Sequence, residues 1–183
     1  MTANLPYFKG QQPFSGKGDA LYTDDIFPPD TNSFFGSNAQ ALSNISKDDV
    51  IFKRASEVYQ SRYVLISDNM KMEDIVPGQI EDTYFLFAVQ NLCKNPGNIN
   101  KLFEKNGIFK KVNGYYEIIF YINGTPQIVI VDDYLPVNKK TNELIGAKSK
   151  NNSNEIWISL IEKAWAKING GYGNIVHLAF VIS

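Results

Sequence analysis

The sequence predicts an α+β domain, and three segments carry that prediction. Thr83–Cys93 is apolar almost all round and too long for an ordinary strand, so it suits a buried helix. Tyr115–Ile122 and Gln127–Val131 are dense in β-branched and aromatic residues and flank Asn123-Gly124, the strongest short hairpin signal. Asn154–Asn169 sets Ile156, Trp157, Leu160, Ile161, Ala164, Trp165 and Ile168 at helical spacing, which gives an amphipathic helix with one apolar face.

The other elements are read around these three. Residues 1–21 are polar and Gly-containing and read as an irregular N-terminal arm, ordered on a partner; residues 22–183 form the domain. Phe27-Pro28-Pro29-Asp30 and Ser33-Phe34-Phe35-Gly36 mix aromatics with turn formers, so this stretch is expected to wrap the core without regular structure. Val64-Leu65-Ile66 is the favoured strand of the next stretch, and Pro77-Gly78 marks a turn. Asp82 or Thr83 caps the first long helix and Pro96-Gly97 stops it; a short helix is expected near Asn98–Asn106. Asp132-Asp133-Tyr134-Leu135-Pro136 ends the hairpin's return strand, and 138–153 is a polar loop or a further short hairpin. Ser153 or Asn152 caps the last helix, which Gly170-Gly171 terminates.

Composition excludes several function classes. Net charge is −1, and the lysines fall in small groups interleaved with acids, so no basic field is offered to nucleic acid or to an anionic membrane. No apolar run approaches the roughly 20 residues that span a bilayer. The N-terminus lacks the charged start and apolar stretch of a secretory signal. The one cysteine, Cys93, can make neither an internal disulfide nor a cysteine-based zinc site alone. A reducing, cytoplasmic setting is expected.

Four blocks go beyond composition. Phe52-Lys53-Arg54-Ala55 with Glu57 resembles W-K-R-P-x-E. Asp74 to Leu86 (Asp-Ile-Val-Pro-Gly-Gln-Ile-Glu-Asp-Thr-Tyr-Phe-Leu) resembles D-I-x-Q-G-x-L-G-D-C-W-F-L. Val131-Asp132-Asp133-Tyr134-Leu135-Pro136 resembles V-D-D-x-L-P. Asn154-Glu155-Ile156-Trp157, then Leu160 to Gly170, resembles N-E-F-W and L-L-E-K-A-Y-A-K-L-x-G, with Tyr172 following. In this order and spacing the blocks resemble the calpain-type, papain-like cysteine protease core, over about residues 22–180. The resemblance implies the first, helical subdomain of that core, with the nucleophile on its central helix. It places the family's catalytic His and Asn in a second subdomain that these residues are not expected to include.

Thr83 stands where the resemblance puts the nucleophilic cysteine. A thiol at a helix N-terminus ionises readily; a threonine hydroxyl does not, and threonine nucleophiles chiefly use the chain's own α-amine as base. Methyl branching at Cβ further crowds the approach. Glu81 replaces the family's glycine beside the cleft. Gln79 matches the oxyanion-hole glutamine, whose amide would stabilise a tetrahedral intermediate; it could equally bond the backbone of its own turn. Cys93 lies about 15 Å further along the same helix, on another face, and reads as a core residue. His177, the only histidine, is beside apolar residues and reads as structural.

The resemblance also implies a calcium site, with Asp74 and Glu155 as carboxylate ligands and Ser67-Asp68-Asn69 supplying carbonyls. Asn69 stands in place of the family's glycine. Alternatively, Asp74 fixes its loop and Glu155 sits favourably at a helix N-terminus. Three functions follow. The favoured one is an inactive calpain-like domain with protein partners in a stable intracellular complex, cytoskeletal or ciliary by analogy with family members that lack the triad. The others are a calcium-responsive module and half of a split peptidase completed by another chain.

Overall fold

The computed structural model describes residues 5–14, 20–60, 62–67, 70–104, 113–150 and 154–176. The chain begins with a segment lying along the hairpin. The Ile128 N–H donates to the Pro6 carbonyl (2.9 Å), and Tyr7 bridges Ile128 in parallel. The Gln11 side chain imitates a strand: its Oε1 accepts the Ile130 N–H (3.1 Å) and its Nε2 donates to the Ile130 carbonyl (3.4 Å). Phe8 joins the main core. Residues 5–11 are therefore docked on the chain's own sheet edge.

The aromatic stretch expected to be irregular contains one helical turn, α1 (Thr31–Phe35). Asp30 caps it, accepting the Ser33 N–H at 2.8 Å. Two short 3-10 turns precede β1 (Val50–Arg54), which leads into α2 (Ala55–Val58). Val64-Leu65-Ile66 is not a strand: Val64 makes a lone parallel bridge to Glu155 and stays 44% exposed. The strand of this region is β1, whose alternation is too short to stand out. Next come β2 (Ile75–Val76), α3 (Thr83–Cys93) and α4 (Pro96–Leu102). Residues 105–106 of the expected second helix lie outside the described residues.

The hairpin is as its sequence requires. β3 (Tyr115–Ile122) and β4 (Thr125–Asp132) pair from Tyr115↔Asp132 to Ile122↔Thr125. Asn123 (φ 51°) and Gly124 (φ 76°) make the left-handed two-residue turn. β5 (Tyr134–Asn138) returns antiparallel on β1, and β6 (Lys148–Ser149) pairs with β2. Among the described residues the strands thus form three antiparallel pairs. α5 (Trp157–Asn169) closes with Gly170 at φ 83°. The caps expected at Asn152 or Ser153 lie outside the described residues.

The α+β class is as predicted, but the burial of the long helices differs from the reading. α3 buries Phe85, Leu86, Val89 and Cys93 and leaves Phe87 64% and Leu92 40% exposed. An all-round apolar sequence cannot show which face is open. α5, expected to keep a polar face in water, is buried from Trp157 to Lys167 except for partly covered Trp165. Its charged residues enter the core because partners wait there. The two helices meet where Phe85 stacks on Trp165 (centroids 5.2 Å, 4° between planes) and Trp165 Nε1 donates to the Tyr84 hydroxyl (3.1 Å).

Candidate functional site

Thr83 is the first helical residue of α3 and is exposed. Asp82 is the N-cap, but through its backbone: its carbonyl accepts the N–H groups of Phe85 (2.8 Å) and Leu86 (3.2 Å), and its side chain caps nothing. The turn before it is held by the Gln79 N–H donating to the Ile145 carbonyl at 2.7 Å. A Cβ on Gly78 would lie 2.1 Å from that same oxygen, so only glycine allows the approach. Ile80 then anchors the segment in the core at 1% exposure. The result is a rigid platform with the side chains of Gln79, Glu81 and Thr83 outward at the positive end of α3. The backbone N–H of Gln79, not its side-chain amide, is what fixes the turn.

The chemistry open to this platform is narrow. No imidazole occurs among the described residues, and His177 lies outside them. Asp82, the neighbouring carboxyl, is fully buried, and neither of its oxygens has a hydrogen-bond partner, so it does not touch the Thr83 hydroxyl. Burial raises its pKa to about 7. Cys93 is buried at the far end of α3, and burial, with a contribution from Glu155, pushes its thiol up to about 11, away from nucleophilic character.

The remaining motif residues build a buried ionic lattice. Lys163 of α5 pairs with Asp132 and donates to the Tyr134 carbonyl (2.7 Å). Asp132 also accepts the N–H groups of Asp24 (2.8 Å) and Tyr134 (2.9 Å). One turn along α5, Lys167 pairs with Asp24 and donates to the Ile130 carbonyl (2.7 Å). Arg54 pairs with Asp133 at 2.7 Å, donates to the Tyr22 carbonyl (2.6 Å) and lies 4.0 Å over the Tyr134 ring. The Asp-Asp strand end and the two lysines of α5 therefore tie α5, β4, β5 and the 22–24 segment together. Sequence reading missed this; the available signal was Lys163 and Lys167 recurring on the side of α5 that carries Leu160 and Ala164.

Asp74 and Glu155 are brought to one corner. The Asp74 carbonyl accepts the Lys150 N–H (2.8 Å), and the adjacent Ser149 hydroxyl donates to Glu155 Oε2 (2.8 Å). Their carboxylates are committed elsewhere. Glu155 is fully buried and also accepts from the Ser67 N–H (2.7 Å) and Trp157 Nε1 (3.4 Å). Asp74 accepts the Lys71 N–H (3.2 Å), closing its own 3-10 turn. No group of three or more His, Cys, Asp or Glu that could hold a metal occurs among the described residues. Both carboxylates thus have protein donors in this corner; Asp68 and Asn69 of the expected calcium loop lie outside the described residues.

The sequence pattern of calpain family cysteine proteases matches residues 22–180. The chain is 31% identical to a calpain-type cysteine protease of Arabidopsis thaliana over 93% of this chain and 8% of that protein. It is 29% identical to a calpain of Caenorhabditis elegans, over 87% of this chain and 21% of the other. It is 30% identical to the calpain-1 catalytic subunit of Sus scrofa, over 84% of this chain and 21% of that subunit. The chain thus spans a small part of the length of these relatives.

Proposed function

The chain belongs to the calpain family of cysteine proteases, and from that premise we propose that it works without peptidase chemistry, as a structural or protein-interaction component of a larger intracellular assembly. The observation that carries this reading is Thr83 at the first position of α3. The family's chemistry needs a thiolate at that place, and among the described residues no imidazole is present to activate a hydroxyl there. Glu81, exposed beside it, adds an anionic side chain to the rim, which disfavours building up an oxyanion. The exposed apolar residues of α3, Phe87 and Leu92, supply a surface for a protein partner. A cytoskeletal or ciliary assembly is the setting proposed, by analogy with inactive family members.

The purified chain, assayed on unfolded casein and on fluorogenic peptides with and without calcium, is expected to show no turnover above buffer. Turnover that disappears in Thr83→Ala would overturn the proposal and favour a peptidase. For the interaction half, a photocrosslinker at position 87 is expected to yield more adducts in cells than one at Tyr121, which is slightly more exposed (71% against 64%) but on the hairpin. Equal yields would remove α3 as the docking face.

The calcium-responsive reading rests on Asp74 and Glu155 sharing a corner. To bind an ion, Glu155 would have to exchange protein donors for it. We therefore expect millimolar calcium to leave the melting temperature unchanged. Stabilisation by several degrees that vanishes in Glu155→Gln would establish the calcium module instead.

A further inference from the structure

Among the described residues β4 pairs as a full strand with β3 alone, and its other edge is covered by the N-terminal arm. Alternate residues of such an edge present N–H and C=O outward, and a strand lying along it takes up each in turn. The arm begins in that way. The Ile128 N–H donates to the Pro6 carbonyl (2.9 Å), and Tyr7 bridges Ile128 in parallel. Then the arm leaves the edge. Lys9 (φ 48°) and Gly10 (φ 70°) turn it away, and the Gln11 N–H closes the turn on the Phe8 carbonyl (3.1 Å). In the parallel register that Tyr7 opens, the carbonyl of residue 8 would accept the Ile130 N–H, and the N–H of residue 10 would reach the Ile130 carbonyl. The Gln11 carboxamide fills both places instead, at 3.1 and 3.4 Å. No neighbour forces the turn, since a Cβ on Gly10 would meet no atom within 4 Å.

The side chains of the arm are matched as well. The Tyr7 hydroxyl donates to Glu117 Oε1 (3.0 Å), a buried oxygen that also accepts from the Tyr115 hydroxyl (2.6 Å). Phe8 faces the other way, as the next residue of a strand does, and enters the core at 8% exposure. The edge therefore fits a phenol followed by an apolar ring, while two of its main-chain groups are met by a substitute. The arm precedes residues 22–180, which carry the family pattern, so this occupant is no part of the shared core.

We propose that the β4 edge is a strand-addition site for an extended segment of a partner protein. That segment carries a tyrosine at the Tyr7 place, an apolar aromatic at the Phe8 place and no turn after it. Residues 5–11 occupy the site in cis as an imperfect copy. A continuous strand gives Ile130 two main-chain partners, whereas the arm must fix the rotamers of a glutamine to imitate them. The arm holds its place by attachment to the same chain, which gives it a local concentration on the order of millimolar. The site is on the hairpin, so its test leaves the reading of Phe87 and Leu92 on α3 untouched.

The test uses the full chain and a fluorescein-labelled peptide copying residues 5–12, with Lys9→Thr and Gly10→Val to keep it extended. Binding is read by fluorescence anisotropy. The full chain with Gln11→Ala, whose arm has lost its hold on Ile130, should bind the peptide at least about tenfold tighter than the wild type does. Bound peptide should slow amide hydrogen exchange at Ile128 and Ile130. Adding Tyr7→Phe to the peptide should weaken binding about tenfold, because Glu117 then lacks that hydroxyl. Should Gln11→Ala fail to fold, Tyr7→Phe in the full chain, which removes one hydroxyl, takes its place. Equal binding by variant and wild type, no binding at millimolar peptide, or protection away from the β4 edge would overturn the site. A dimer of either chain that the peptide takes apart, seen by light scattering, would give the edge to a second copy and overturn the partner.

Discussion

Replacing Lys163 by Met is expected to destabilise the fold by about 3–5 kcal/mol, the range for stripping one partner from a buried ion pair. The pair is fully enclosed, with Lys163 and Asp132 both at 0% exposure. Met matches the lysine stem in length, so the core volume is kept and the charge is what goes. Asp132 keeps the N–H groups of Asp24 and Tyr134, which orient the carboxylate without neutralising it. The Tyr134 carbonyl also loses a donor. A surface control, Lys140→Met, removes an exposed pair with Asp49 and should cost less than about 1 kcal/mol. A deficit below about 1 kcal/mol at pH 7.5 would show that Lys163 reaches water by a local shift and that the lattice does not hold α5 in place.

That lattice also marks where sequence reading stopped. The hairpin was legible because Asn123-Gly124 is a local signal, demanded by the left-handed turn itself. The C-terminus of α5 was legible for the same reason, since Gly170 has no steric competitor at φ 83°. Helix positions were legible from period; their burial was not. Burial depends on what lies opposite, and the partners of Lys163 and Lys167 come from 31 and 143 residues away along the chain. The same holds at the candidate site. The position of Thr83 at the start of α3 follows from its motif, and the structure puts it there on the surface. The state of Asp82 does not follow. An aspartate before a helix reads as a side-chain cap, yet this one is buried with both carboxylate oxygens unpartnered, and the capping is done by its backbone. Glu155 shows the converse: the motif suggests an ion ligand, while the fold supplies Ser67, Ser149 and Trp157 as donors.

Thr83→Cys provides the second large effect, and it separates the nucleophile from the rest of the site. The new thiol would be exposed at the start of an eleven-residue helix, where the dipole favours the thiolate. At pH 8 an ordinary thiol is roughly a quarter ionised. Cys93, held up to about 11, is ionised to about 0.1% at that pH, and it is buried as well. Iodoacetamide should therefore alkylate position 83 at least about a hundredfold faster than position 93, read by peptide mass mapping over time. Hydrolysis is a different demand. Acyl transfer needs a group to shuttle protons to the leaving amine, and among the described residues the platform at Gln79–Thr83 offers exposed Glu81 and buried Asp82 and no imidazole. The variant is thus expected to react with the alkylating agent and still to leave peptides uncut. Peptide cleavage by Thr83→Cys would mean that the acid–base machinery is in place and that the threonine alone silences it. Equal alkylation at 83 and 93 would contradict the exposed placement of the α3 N-terminus, and with it the surface on which the non-catalytic reading depends.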